Sequence, residues 1–239
     1  MTKHKTYFNW SSGKDSALAL YHILQNEKYQ VDELITTVNS HFNRVSMHGL
    51  RKELLTAQTN ALDIEASLIE LPEMPSMDVY EQKMLETVSR LKNDGFTHTA
   101  FGDIFLEDLR QYRENQLRKQ GITAVFPLWK RNTKALLQEF LDLGFKTIIV
   151  CANSKYFGED FVGTIIDENF INNLPPEVDP CGENGEFHTF CFDGPIFKAP
   201  VNFSIGEKVY REYKNPKGDD TICKSDSDKY GVWYCDLIP

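Results

Sequence analysis

Ser11-Ser12-Gly13-Lys14-Asp15-Ser16 stands between two stretches of opposite period. Before it, Lys5-Thr6-Tyr7-Phe8-Asn9-Trp10 reads as a β-strand. After it, Ala17, Leu20, Tyr21 and Leu24 recur at spacings of three and four, with Leu18 beside them, which is the pattern of an amphipathic helix. Strand, small polar turn and helix in that order aim the free N–H groups of the first helical turn out of the end of a sheet. Phosphate is drawn to such a place by unpaired donors and by the positive end of the helix dipole.

A Walker A loop is excluded. Phe8 occupies the position of its first glycine, and Asp15 stands where the magnesium-binding hydroxyl should follow Lys14. The form Ser-x-Gly-x-Asp-Ser instead resembles the pyrophosphate loop, or PP-loop, of ATP pyrophosphatases, which cut ATP to AMP and pyrophosphate. Gly13 lets backbone approach phosphate, Ser11, Ser12 and Ser16 offer hydroxyls, and Lys14 brings a point charge. Asp15 fits either a partner for the helix dipole or a magnesium ligand. The plainer alternative is a serine-rich turn that only caps a helix.

A chain of 239 residues with 41% hydrophobic and 26% charged residues has the composition of a globular protein of one large or two modest domains. The net charge of −9 argues against broad nucleic-acid binding, which needs a basic face. No signal-peptide pattern precedes the first strand and no apolar run approaches a membrane span, so a cytoplasmic protein without a membrane partner is expected. Five cysteines, Cys151, Cys181, Cys191, Cys223 and Cys235, contain no C-x-x-C pair, which fits free thiols and weakens an iron–sulfur or structural-zinc reading.

Further along, Glu33–Val38, Ala66–Leu71, His98–Phe101 and Ala124–Phe126 read as strands. Helices are expected from about Val45 to Asn60, around Met84–Leu91, and over Glu107–Gln120. Repeated strand–helix alternation implies right-handed crossovers and a parallel α/β sheet with helices on both faces. Ligands of such sheets gather outside the carboxyl ends of the strands. Gly102-Asp103 follows one strand end and Ser11–Ser16 another, so the two can share a site although about ninety residues separate them. His48 is either a base or ribose contact or a satisfied turn residue.

A helix around Leu136–Leu141, closed by Gly144, and a strand at Thr147–Cys151 open the second part. Its densest stretch is Asp179-Pro180-Cys181-Gly182-Glu183-Asn184-Gly185-Glu186-Phe187-His188-Thr189, a tight loop presenting polar groups. Short strands are expected near Val201–Phe203, Lys208–Tyr213 and Gly231–Cys235, around a polar segment over 214–229.

Taken together, Ser11–Ser16, Phe101-Gly102-Asp103-Ile104, the Arg110…Glu114-Asn115 helix, Pro127-Leu128-Trp129 and Pro180–Phe187 resemble the diphthine–ammonia ligase family of PP-loop ATP pyrophosphatases. Two positions depart from it: Ser12 replaces the usual glycine, and His188 replaces a residue that is more often acidic. The resemblance implies a PP-loop domain of the adenine nucleotide α-hydrolase type over residues 1–130 and a smaller α+β acceptor domain over 131–239. It implies ATP and Mg²⁺, with Lys14 and Asp103 catalytic, Asp15 and Asp103 on the metal, and Gly102 beside the nucleotide. Cys181, Gly182, Glu183, Gly185, Glu186 and His188 would form the acceptor side, the glutamates facing a cation rather than a triphosphate. The implied reaction adenylates a carboxylate, which belongs to a modified histidine of a protein in the named family member. Free ammonia then displaces AMP. Rival expectations are a PP-loop tRNA-modifying ligase or thiolase, and a non-catalytic ATP-binding protein of the universal-stress type. A homo-oligomer stays open.

Overall fold

The structure is a computed structural model that describes residues 2–46, 48–214 and 229–239. In its first half β1 (His4–Asn9), α1 (Lys14–Leu24), β2 (Tyr29–Asn39), β3 (Arg44–Val45), α2 (Lys52–Leu62), β4 (Glu65–Leu71), α3 (Met77–Asn93), β5 (His98–Ala100), α4 (Glu107–Lys119) and β6 (Thr123–Val125) follow one another. β1 pairs in parallel with β2 and β5, β4 with β2, and β6 with β5. The pleat of β1 explains why helices cover both faces. Phe8 points into the cluster that contains Leu18 of α1 and Leu54 of α2, and its neighbour Tyr7 into the one that contains Leu91 of α3 and Leu117 of α4.

The second half holds α5 (Thr133–Asp142), β7 (Lys146–Asn153), α6 (Glu168–Asn173), β8 (Phe187–Asp193), β9 (Ser204–Lys214) and β10 (Lys229–Ile238). Its four strands form an antiparallel sheet in the order β8-β7-β10-β9. The two sheets share a core, because the cluster around Phe8 and Leu18 continues through Phe140, Ile149 and Phe190. Asp236 of β10 adds a polar clamp, meeting Arg44 at 2.8 Å and Arg51 at 2.5 Å.

Several local expectations shift. The helix expected from Val45 begins only at Lys52: Arg44–Val45 pairs with β2, and Gly49 turns the chain at φ +68°. No strand forms at 201–203; the chain there crosses to β9, which starts at Ser204. β8 was hidden in the dense polar stretch after Cys181, and α6 carried no sequence signal of its own. Most of the expected polar segment 214–229, with Cys223, lies outside the described residues. Cys151, Cys181, Cys191 and Cys235 are buried free thiols. Among the described residues no helix is long and apolar enough to cross a membrane.

Candidate functional site

The turn from β1 into α1 is held from behind by a residue the sequence did not announce. Gln58 of α2 is fully buried; its Oε1 accepts from Trp10 Nε1 at 2.8 Å, and its Nε2 donates to the Ser12 carbonyl at 3.0 Å. The same carbonyl accepts from Cys191 N of β8 at 2.9 Å, so both sheets fix the loop. Ser12 sits at φ +73°, a left-handed conformation that glycine adopts most cheaply. Its side chain is buried, 3.5 Å from His48 Nδ1, and does not line the cavity in front of the loop. The expected phosphate-facing hydroxyl is therefore turned away by the backbone.

Ser11, Gly13, Lys14, Asp15 and Ser16 do line that cavity, whose volume is about 460 Å³. Ser11 and Ser16 join their hydroxyls at 2.8 Å. Gly13 is the N-cap of α1 and brings no side-chain cap of its own; Gly13 N donates to Ser11 Oγ at 3.3 Å instead. A Cβ there would stand 3.1 Å from the His48 ring and 3.2 Å from the Thr189 carbonyl. Lys14 is 3% exposed; its Nζ reaches Asp15 Oδ2 at 2.8 Å and also donates to the Cys181 carbonyl. Burial pulls the ammonium down, but Asp15 and Glu183 among its neighbours outweigh this, and its pKa is raised.

Gly102 and Asp103 meet the loop at the same sheet edge. A Cβ on Gly102 would lie 2.9 Å from Ser16 N and 3.0 Å from Asp15 C, so only glycine lets this turn press against the first turn of α1. Asp103 pairs with Arg113 of α4, an arginine whose role the charged helix concealed. Burial raises the Asp103 carboxyl, Arg113 opposes it, and Asp15 adds to the rise.

From the second sheet, the 180–189 loop closes the cavity, and its residues divide. Glu183 lines it and accepts from Ile104 N at 2.8 Å, tying the loop to the Asp103 turn. Burial, with Asp15 and Asp103 nearby, pushes its carboxyl up to about 7 against two backbone N–H groups. Glu186 does not face the cavity. It is 2% exposed and accepts from Asp179 N at 3.0 Å, Asn184 N at 2.9 Å and Asn184 Nδ2 at 3.0 Å, so it closes the turn from inside. Gly185 is an exposed turn residue at φ +83°, and it too lies away from the cavity. Gly182, at φ +71°, is required because a Cβ would fall 2.7 Å from the Phe187 carbonyl. Cys181 contributes its carbonyl; its thiol donates to Thr133 O at 3.3 Å and burial pushes it up, which removes it as a nucleophile.

His188 stacks on His48 with ring centroids 4.8 Å apart. Burial, then Lys14, pulls His188 down to about 4; burial also lowers His48, with His188 adding to it. Two neutral imidazoles thus wall the cavity. Thr189, also missed in the sequence, accepts from Lys14 N at 3.0 Å and fixes the helix start. Among the described residues no cluster of three or more His, Cys, Asp and Glu side chains could hold a metal ion.

The family model described as the diphthamide synthase N-terminal domain matches residues 4–124, and the one described as its C-terminal domain matches 132–223. The cattle diphthine–ammonia ligase is 31% identical over 110 residues, 44% of this chain and 41% of the relative. The mouse protein of the same name is 28% identical over 140 residues, 55% and 50% of the two chains. The chain thus spans half or less of the length of these relatives. A solved U34-tRNA thiolase from Methanococcus maripaludis with its [4Fe-4S] cluster superposes over 60% of this chain and 59% of its own, with a TM-score of 0.39 and 16% identity. Because the N-terminal family model alone accounts for half of the residues and its companion for most of the remainder, the chain belongs to the diphthamide synthase family of diphthine–ammonia ligases.

Proposed function

We propose that this chain is an ATP-dependent amide ligase that adenylates a carboxylate and passes ammonia to it. The observation that carries this reading is the convergence of Lys14, Asp15, Asp103 and Glu183 on one cavity, in front of a helix start that no side chain of its N-cap residue covers. In the first step an acceptor carboxylate oxygen attacks the α-phosphorus of ATP and the bond to pyrophosphate breaks. In the second, ammonia attacks the activated carbonyl carbon, the bond to AMP breaks, and the nitrogen loses a proton.

The α1 N-terminus and the Lys14 ammonium stabilise charge on the phosphates. Asp15 and Asp103 supply hard oxygen donors of the kind Mg²⁺ takes, and two carboxylates without a third fit an ion that shares its shell with phosphate oxygens. Mg²⁺ there would neutralise the triphosphate and polarise the reacting phosphorus. Glu183, poised at about 7, is suited to take the proton from ammonium so that free ammonia attacks. His48 and His188, held neutral, add no competing charge.

Incubation of the protein with ATP, Mg²⁺, ammonium and a diphthine-bearing acceptor should yield AMP and pyrophosphate in equal amounts with the amide. ADP and phosphate on the chromatogram would refute the reading.

A further inference from the structure

The hairpin that carries His48 is held by a carboxylate from the other half of the chain. β3 pairs with β2, and the chain returns through Gly49 to Arg51, the N-cap of α2, which forms a backbone bridge with Arg44. Val45, Ser46 and His48 of this hairpin line the cavity in front of the 11–16 loop. Two guanidinium groups are thereby brought together, one of them at the positive end of a helix dipole. Such an arrangement is unfavourable unless an anion answers it. Asp236 of β10 is that anion. Its Oδ1 accepts from Arg44 Nη1 at 2.8 Å and from Arg51 Nε at 3.0 Å, and its Oδ2 from Arg51 Nη2 at 2.5 Å. Among the described residues no other carboxylate lies within ion-pair distance of either arginine. The Arg51 bonds hold the Asp236 carboxyl below the usual carboxylate range against partial burial, and Arg44 adds to the effect.

Two routes lead from Asp236 to the 11–16 loop. Arg44 Nη1 also donates to the Gly49 carbonyl at 2.7 Å, which fixes the backbone next to His48. Tyr234, two residues before Asp236, presses on the same place, since a Cβ on Gly49 would stand 3.2 Å from its ring. The His48 ring stands beside Gly13, where a Cβ would meet it at 3.1 Å, and its Nδ1 is 3.5 Å from Ser12 Oγ. Along the second route Arg51 opens α2, and α2 carries Gln58, whose Nε2 holds the Ser12 carbonyl at 3.0 Å. Asp236 lies beyond residues 4–124 and 132–223, so the anion of this clamp falls outside both matched family domains.

We propose, resting on the ligase reading above for the identity of the ligand, that Asp236 is a positioning residue for the ATP site. It touches no reacting atom. It acts through Arg44 on His48 and through Arg51 on Gln58, and both of these set the shape of the 11–16 loop. Asp236→Asn removes the anion and leaves two guanidinium groups facing each other at a helix start. The loop keeps its residues but is no longer held ready, so ATP must supply the ordering as it binds, and affinity falls.

The test is calorimetric titration of the full chain with α,β-methylene ATP and Mg²⁺, well below the melting temperature of every variant. Asp236→Asn should weaken binding about fivefold. Asp236→Glu, which keeps the charge, should recover most of that loss. Leu237→Val is the control, because Leu237 is buried and points to the opposite face of β10. It should lower the melting temperature and leave the affinity within about twofold. A heteronuclear spectrum of the His48 Cε1–H group, assigned with His48→Gln, gives a local readout. That resonance feels the stacked His188 ring, and it should shift in Asp236→Asn but not in Leu237→Val. If Asp236→Asn does not fold, Arg44→Gln carries the same test, since it cuts the Gly49 bond and leaves the Arg51–Asp236 pair. Wild-type affinity in Asp236→Asn, an equal loss in Leu237→Val, an unmoved His48 resonance, or no nucleotide binding by the wild type would overturn the proposal. AMP formation separates the two claims. Binding that depends on Asp236 without any AMP formed from acceptor and ammonium sinks the ligase reading alone. AMP formation by the wild type, with full affinity in Asp236→Asn, sinks the positioning role alone.

Discussion

The loop at 11–16 and the loop at 180–189 face each other across one cavity and are built on opposite plans. The first is held from outside itself by Gln58, Cys191 and Thr189, beside its own Ser11–Ser16 hydroxyl pair, and it spends Ser11 N, Gly13 N and Lys14 N on side-chain oxygens. The second is stabilised from within, Glu186 accepting three hydrogen bonds from its own turn, so that Glu183 alone can reach across to Ile104. A tight turn of small residues has little side chain of its own and borrows much of its rigidity from distant elements. An acidic loop has carboxylates to spare and can use one of them as its own brace.

The comparison breaks first at Lys14, where the two loops touch. Lys14→Ala removes the one buried ammonium on the open side and its bond to the Cys181 carbonyl. It should cost about 2–4 kcal/mol of transition-state stabilisation, read as loss of AMP formation at saturating ATP. Undiminished turnover would mean that the α1 backbone suffices alone.

Glu186→Gln tests the internal brace. An amide nitrogen would meet one of three N–H donors head on, so stability to urea should fall by about 1–3 kcal/mol. A variant as stable as the wild type, with altered acceptor kinetics, would return Glu186 to the substrate side.

Glu183 sharpens the contrast through pH. Its folded-state pKa is raised above the unfolded value to about 7, so it contributes no destabilisation below about pH 4.5. As pH rises from there to about 7 the unfolded chain sheds the proton first, and stability falls. His188, held down at about 4, acts oppositely in the same window: protonation of the unfolded chain costs stability as pH drops below about 6.5. The difference between wild type and Glu183→Gln isolates the carboxylate. After allowance for solvent screening, it should change by about 1–2 kcal/mol between pH 4.5 and 7. A flat difference would show Glu183 ionising normally.

The smallest effect is expected at Ser12. Ser12→Gly relieves a left-handed backbone at φ +73° but frees the unfolded chain, leaving a net gain of about 0.5 kcal/mol in thermal unfolding. A loss would assign the Ser12 hydroxyl a real bond to His48.

By itself the sequence determined the alternating strands and helices, the phosphate-type turn and the two stretches that build the cavity. These are local signals: periodicity, a small-residue turn and a glycine before an aspartate each carry their cause within a few residues. It also marked Lys14, Asp15, Gly102 and Asp103 by their place at strand ends, and Glu183 through the polar loop and the family resemblance that the 180–187 stretch carries. Only the tertiary structure decided which hydroxyls and carboxylates face the ligand. Ser12, Gly185 and Glu186 have the same chemistry as their neighbours, and a positive φ or an inward rotamer turned them away. Gln58, Thr189 and Arg113 were illegible for the complementary reason. A glutamine in an amphipathic helix, a threonine in a strand and an arginine among charges look ordinary until distant backbone is folded against them. Direction is a property of packing, and packing joins residues that the chain keeps far apart.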